Sequence, residues 1–156
     1  MRLNKRGLEL IKRFEGFSAK PYYDVAGIPT VGYGTTHYPN GRKVHISDTS
    51  VSEEFAEGLL LQHIENDTAR LKSFLLKNDL VLSENQFSAL LSFIYNVGFS
   101  PLTKGKKLHT ALVNKKLSDV PEAMKLYDKA TVNGVKKQIK GLQERRKAEV
   151  ELFLCP

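Results

Sequence analysis

Apolar positions recur at helical spacing from the start of the chain. Leu8, Ile11 and Phe14 form one stripe with Leu10 and Phe17 beside it, and Asn4 stands where an N-cap belongs. This predicts a helix over residues 3–14 that ends at Glu15. The period then disappears. From Tyr22 to Val44, Gly, Pro and β-branched residues dominate, so Thr30-Val31-Gly32-Tyr33-Gly34 is expected as a short strand. Pro39-Asn40-Gly41 is expected as a tight turn, in a sheet of two or three strands. Ser50 followed by Glu53 has the spacing of a capping box, and Val51 can staple onto Phe55. Phe55, Leu59, Ile64, Leu71, Phe74 and Leu75 then continue one long helix over about 51–77. Ser83 and Gln86 repeat the capping pattern ahead of Phe87, Leu90, Leu91, Ile94 and Tyr95, the most apolar helix of the chain, with Gly98 as its left-handed cap. Further helices are expected at 104–114, at 119–129 with Asp119 as cap and Pro121 in the first turn, and at 138–154 with Leu142, Val150, Leu152 and Phe153 inward.

This order of elements predicts an α+β fold that is mostly α. A small mixed N-terminal lobe with a short antiparallel sheet is joined by a helix to a larger helical lobe, and a cleft between lobes is the expected place for a ligand. The 156 residues fit a single domain, with lobes at roughly 13–60 and at 1–12 plus 75–156.

Composition narrows the class. Hydrophobic residues make up 41% and charged residues 26%, which points to a compact globular chain rather than to disorder or a coiled coil. Cys155, next to the C-terminal Pro156, is the only cysteine, so neither an intramolecular disulfide nor a thiolate metal cluster can form. The N-terminal sequence has no apolar run long enough for an export signal or a membrane span. Residues 1–100 balance 11 Lys and Arg against 11 Asp and Glu, whereas residues 101–156 carry 13 against 6, so the whole net charge of +7 lies in the last third. A one-sided basic region attracts polyanions such as nucleic acid, acidic lipid or a bacterial envelope; the alternative is a Lys-rich solvated helical surface.

The candidate chemistry lies in the segment from Phe14 to Gly34, where Glu15, Asp24 and Thr30 stand among turn residues. Glycosidic hydrolysis uses one protonated carboxyl to donate to the leaving oxygen and one ionised carboxyl to activate water or attack the sugar. Glu15, at the negative end of a helix and flanked by Phe14 and Phe17, suits the protonated role. Asp24, in an open turn, suits the ionised one, and Thr30 can hold a water beside it. Other chemistries lack their residues. His37, His45, His63 and His109 make no i, i+4 pair, there is no HExxH, no Gly-x-Ser-x-Gly and no phosphate-binding glycine pattern. No metal and no cofactor is expected.

The spacing Glu15-x8-Asp24-x5-Thr30 followed by Val31-Gly32-Tyr33-Gly34 resembles the catalytic signature of phage-type lysozymes, or endolysins, of glycoside hydrolase family 24. Two further blocks resemble that family in the right order: QFSALLSFIYNVG at 86–98 its core helix, and GLQERRKAEVELF at 141–153 its closing helix. The resemblance implies a lysozyme-like fold and muramidase activity on the β-1,4 bond between N-acetylmuramic acid and N-acetylglucosamine in bacterial peptidoglycan. It assigns Glu15 as general acid, Asp24 and Thr30 as the residues that steer water, and Gly32, Tyr33, Tyr95 and Asn96 as substrate-binding residues. A water held by Asp24 and Thr30 leans toward inversion. Thr35 stands where several relatives carry histidine.

The expected working form is a monomer without membrane insertion or nucleic-acid partner. It would collect in the host cytoplasm, reach the wall in the periplasm, and approach the anionic envelope through its basic last third. Two rivals share these features in part. A lytic transglycosylase would cut the same bond with one glutamate and no water, and a non-catalytic polyanion-binding protein would use the basic region alone. Arg145 and Arg146 are read as solvated or bridged to Glu149, with the pairing of one of them to Glu15 in the free enzyme as the alternative.

Overall fold

The computed structural model describes all 156 residues. Six helices and two small antiparallel sheets make the mixed, mainly helical fold: α1 Lys5–Glu15, β1 Ser18–Tyr23, β2 Pro29–Gly32, α2 Glu53–Lys77, α3 Glu84–Val97, α4 Lys107–Val113, α5 Val120–Lys125, β3 Lys129–Val132, β4 Val135–Gln138 and α6 Lys140–Leu154. The chain forms two compact units, Met1–Leu10 with Thr68–Pro156, and Ile11–Asp67. It passes from one to the other inside α1 and again inside α2. None of the helices is long and apolar enough to cross a membrane.

The larger unit is organised on α3. Ser83 caps it in a complete capping box: its hydroxyl accepts from Gln86 N at 3.1 Å, and Gln86 Oε1 accepts from Ser83 N at 3.0 Å. Every residue from Phe87 to Ile94 is buried, so the middle of the helix is enclosed on all sides, with Phe87, Leu90, Leu91, Phe93 and Ile94 on its apolar face and Ser88 and Ser92 on the other. α6 packs along it. The start of α1 packs there too, because Gly7 has no side chain: a Cβ at Gly7 would lie 2.5 Å from Ser88 Cβ. The same crossing is pinned by Asn4, whose N–H donates to Ser88 Oγ at 3.0 Å and whose Oδ1 accepts from Gly7 N at 2.9 Å as the α1 N-cap.

Arg145 and Arg146 are bridged to Glu149 but are not solvated. Arg145 is 4% exposed, Arg146 1% and Glu149 0%. The spacing of i, i+3 and i, i+4 on α6 brings the three together, with Arg145 Nε to Glu149 Oε1 at 3.1 Å and Arg146 Nε to Glu149 Oε2 at 2.8 Å. Ser92 Oγ on α3 donates to the same carboxylate at 2.8 Å. Burial pushes the Glu149 carboxyl up and the Arg146 guanidinium down, each opposed by the charge of its partner. Deleting one member of such a pair typically costs about 3–5 kcal/mol, because the other charge stays buried.

Several boundaries differ from the sequence expectation. α2 is capped by Ser52, whose hydroxyl accepts from Phe55 N at 3.1 Å, rather than by Ser50, and Phe55 is 53% exposed. A positive φ of 91° at Gly105 delays α4 to Lys107. α5 ends at Lys125 and Asp119 makes no side-chain cap; it closes a 3-10 turn instead. Gly98 has a positive φ of 82° but ψ of −173°, so it leads the chain out extended and not left-handed. Between the helices expected at 119–129 and 138–154, where no element is expected, residues 129–138 form the exposed β3–β4 hairpin. Asn133 and Gly134, at φ 50° and 76°, supply its turn.

In the smaller unit β1 pairs antiparallel with β2, and a loop over 36–50 follows. Asp48 organises that loop. Its carboxylate accepts from His45 N at 3.0 Å, from both Arg42 terminal nitrogens at 3.2 and 3.3 Å, and from Tyr38 OH at 2.8 Å. The backbone donor, Arg42 and Tyr38 together lower its pKa to about 2. Since the folded value lies below the unfolded one, the resulting stabilisation is complete above about pH 4 and is lost as pH falls toward 2. Between those limits the unfolding free energy of Asp48→Asn should fall less steeply with acid than that of the parent; identical acid slopes in urea titrations would contradict the assignment.

Candidate active site

Glu15 is the last residue of α1, and Gly16 at φ 73° turns the chain away, with its N–H bonded to Lys12 O at 3.0 Å. The half-buried Glu15 carboxylate faces the turn after β2. Its Oε2 lies 3.5 Å from where a Cβ of Gly34 would be, and Gly34 has φ 82°. A side chain there would meet the carboxylate at ordinary contact distance, but it would strain the backbone at that φ. Gly34 is therefore a structural requirement of the site.

Asp24 and Thr30 belong to the β1–β2 hairpin and meet at one residue, Ile28. Asp24 Oδ1 accepts from Ile28 N at 2.9 Å and from Ala26 N at 2.8 Å, an Asx-type closure of the five-residue turn. Thr30 Oγ1 donates to Ile28 O at 2.9 Å, and Asp24 N donates to the same carbonyl at 3.0 Å. Both side chains are thus one hydrogen bond from the same residue. Asp24 Oδ2 takes no part in these two bonds. The Thr30 hydroxyl, 3% exposed, has committed its hydrogen to Ile28 and keeps its lone pairs. The carboxylate and the hydroxyl, both tied to Ile28, each keep acceptor capacity, and a water molecule has two hydrogens to give.

The remaining expected residues are placed differently. Gly32 is buried, where a Cβ would lie 2.8 Å from Ala56 Cβ on α2, so its lack of a side chain lets the hairpin pack on that helix. Tyr33 is 5% exposed and packs against Phe17, ring centroids 5.3 Å apart, with Lys12 Nζ 5.5 Å over its ring. Lys12 is in turn held by Glu57 at 2.8 Å. Thr35 is fully buried, its backbone bonded both ways to Val31 at 2.9 Å. Tyr95 and Asn96 lie at the C-terminal end of α3 in the larger unit, the first half-buried and the second exposed. No group of three or more His, Cys, Asp or Glu side chains is placed to hold a metal ion.

Sequence reasoning missed Gly34 and Ile28 as site residues, because they act through backbone shape and backbone hydrogen bonds. A signal existed for Gly34: a glycine two residues beyond a strand is a common mark of positive φ. Ile28 offered none.

Known proteins resemble the chain along nearly its whole length. The endolysin of Acyrthosiphon pisum secondary endosymbiont phage 1 is 36% identical over 153 residues, covering 98% of each chain. The solved endolysin from Escherichia coli O157:H7 phage FAHEc1 superposes with a TM-score of 0.89 at 33% identity, over 99% of this chain and 94% of that one. The muramidase domain of SpmX from Asticaccaulis excentricus superposes with a TM-score of 0.82 at 28% identity over 99% of both chains. The family model described as Phage lysozyme matches residues 12–149, and the chain belongs to that family.

Proposed function

We propose that this chain is an endolysin that hydrolyses the β-1,4 bond between N-acetylmuramic acid and N-acetylglucosamine in bacterial peptidoglycan and so lyses the host cell. The observation that carries the reading is the sharing of Ile28 by Asp24 and Thr30. It supports a water held between two fixed acceptors on the hairpin whose far end adjoins Glu15. Glu15 gives its proton to the glycosidic oxygen as the C–O bond breaks. Water adds to the anomeric carbon, and Asp24 receives the proton that the water loses. Thr30 accepts the second hydrogen of that water and keeps its oxygen aimed at the sugar. Attack by a held water and not by a carboxylate gives inversion. Gly32 and Tyr33 back the site, and Tyr95 and Asn96 bind the substrate.

The basic last third contributes attraction to the anionic envelope. Arg145 and Arg146 are buried, and Lys125 and Lys129 are paired with Glu122 and Asp128. The attraction therefore falls to lysines without an acidic partner, such as Lys104, Lys107, Lys137 and Lys140. Salt should weaken the clearing of whole walls more steeply than the cleavage of a small neutral oligosaccharide, and equal salt dependence would contradict this role.

Asp24 can be tested separately for its two duties. Asp24→Asn retains an oxygen for the Ala26 and Ile28 amides, so it should keep the melting temperature while activity falls about 10²-fold or more. Asp24→Ala should lose the same activity and also about 1–2 kcal/mol of stability. Full activity of the asparagine variant would remove Asp24 from the mechanism. Glu15→Gln should bind walls as the parent does and clear them about 10²–10⁴-fold more slowly. A variant that still clears at the parental rate would overturn the assignment.

A further inference from the structure

Arg146 has a contact that charge pairing does not explain. Its Nη2 donates to Glu149 Oε1 at 3.1 Å and also to Asn96 Oδ1 at 2.8 Å, its Nη1 donates to Tyr127 O at 3.3 Å, and its plane lies 4.9 Å over the Phe93 ring. Contacts on three sides fix the orientation of a group that is itself 1% exposed. Arginine has only donors, so the end of the Asn96 carboxamide turned to it must be the oxygen. The Nδ2 group is then directed away from Arg146, on a residue that is exposed at the end of α3.

Asn96 lines a cavity of about 580 Å³ with Tyr127, Lys106, Lys129 and Lys136 among its neighbours. Lys129 is engaged by Asp128 at 2.8 Å, whereas Lys106 and Lys136 have no acidic partner. The polar lining is therefore rich in donors, and it fits a ligand rich in acceptor oxygens.

We propose that Arg146 is a positioning residue that locks the Asn96 carboxamide from beneath, so that Asn96 Nδ2 stands as a fixed donor in this cavity and binds a carbonyl or carboxylate oxygen of the substrate. The inference rests on the glycan-cleaving function proposed above, whose substrate carries acetamido and carboxylate groups. A fixed donor loses little freedom on binding, which is the advantage of locking it. The contact is made equally in ground and transition states, so it acts on KM and leaves kcat nearly unchanged.

The test is Asn96→Asp, assayed on soluble peptide-bearing oligosaccharides beside the parent. The aspartate keeps an oxygen for Arg146 and so keeps the fold, but replaces the outward donor with an acceptor. KM should rise about tenfold with kcat within about twofold. Arg146→Lys keeps a cation for Glu149 but lacks the fork that reaches Asn96, and should raise KM in the same way; the double variant should be no worse in KM than the worse single one. In the nitrogen-labelled Glu15→Gln protein the Asn96 side-chain amide should be rigid, and its signal should shift when the oligosaccharide is added. That measurement stands even where Arg146→Lys does not fold. An unchanged KM for Asn96→Asp with an active parent, or an Asn96 amide that is mobile and unresponsive, overturns the positioning role alone. A parent that does not cleave the oligosaccharide overturns the underlying function and the inference with it.

Discussion

The backbone of one residue, Ile28, joins the groups on which the proposed chemistry depends. Its N–H is held by Asp24 and its C=O by both Thr30 and the Asp24 amide, so the turn cannot open without releasing both side chains. The closure consumes one oxygen of Asp24 and the hydrogen of Thr30, and leaves the acceptors that a water needs. Glycines then bring the rest of the site in. Gly32 lets the hairpin approach α2, and Gly34 supplies the positive φ of the turn that faces Glu15 at the end of α1.

The larger unit follows another rule. There an apolar helix, α3, is matched by a helix whose buried face is partly ionic, with Arg145, Arg146 and Glu149 tied to Ser92 and Asn96. Such a cluster gains little stability over a well-packed apolar one, and its directional bonds are what distinguish it. Here those bonds reach an exposed carboxamide, which links the cluster to a surface where a ligand can bind.

Local chemistry was legible in the sequence, and chemistry decided by tertiary packing was not. Ser83 and Gln86 announce the start of α3 because both partners of the capping box lie within four residues. Ser50 and Glu53 show the same spacing, but α2 begins later and Ser52 is the residue whose hydroxyl reaches the third helical amide. The β3–β4 hairpin carried its signal in Asn133-Gly134, and the lysines flanking it, with every residue exposed, gave no alternation to confirm a strand. Arg146 reads as a surface residue because arginine rarely is fully buried, and only α3 and Glu149 together make burial tolerable. At the candidate site the acids and the hydroxyl stand out through their resemblance to a family signature, because spacing alone is a weak signal. Their tether does not, since any residue has the peptide group that Ile28 contributes.

The central claim is that a water held by Asp24 and Thr30 attacks the sugar while Glu15 protonates the leaving oxygen. Mass analysis of peptidoglycan fragments released in heavy-oxygen water tests it most directly. The account predicts reducing N-acetylmuramic acid ends that carry one heavy oxygen from the solvent. Anhydro ends, lighter by one water and without label, would contradict it.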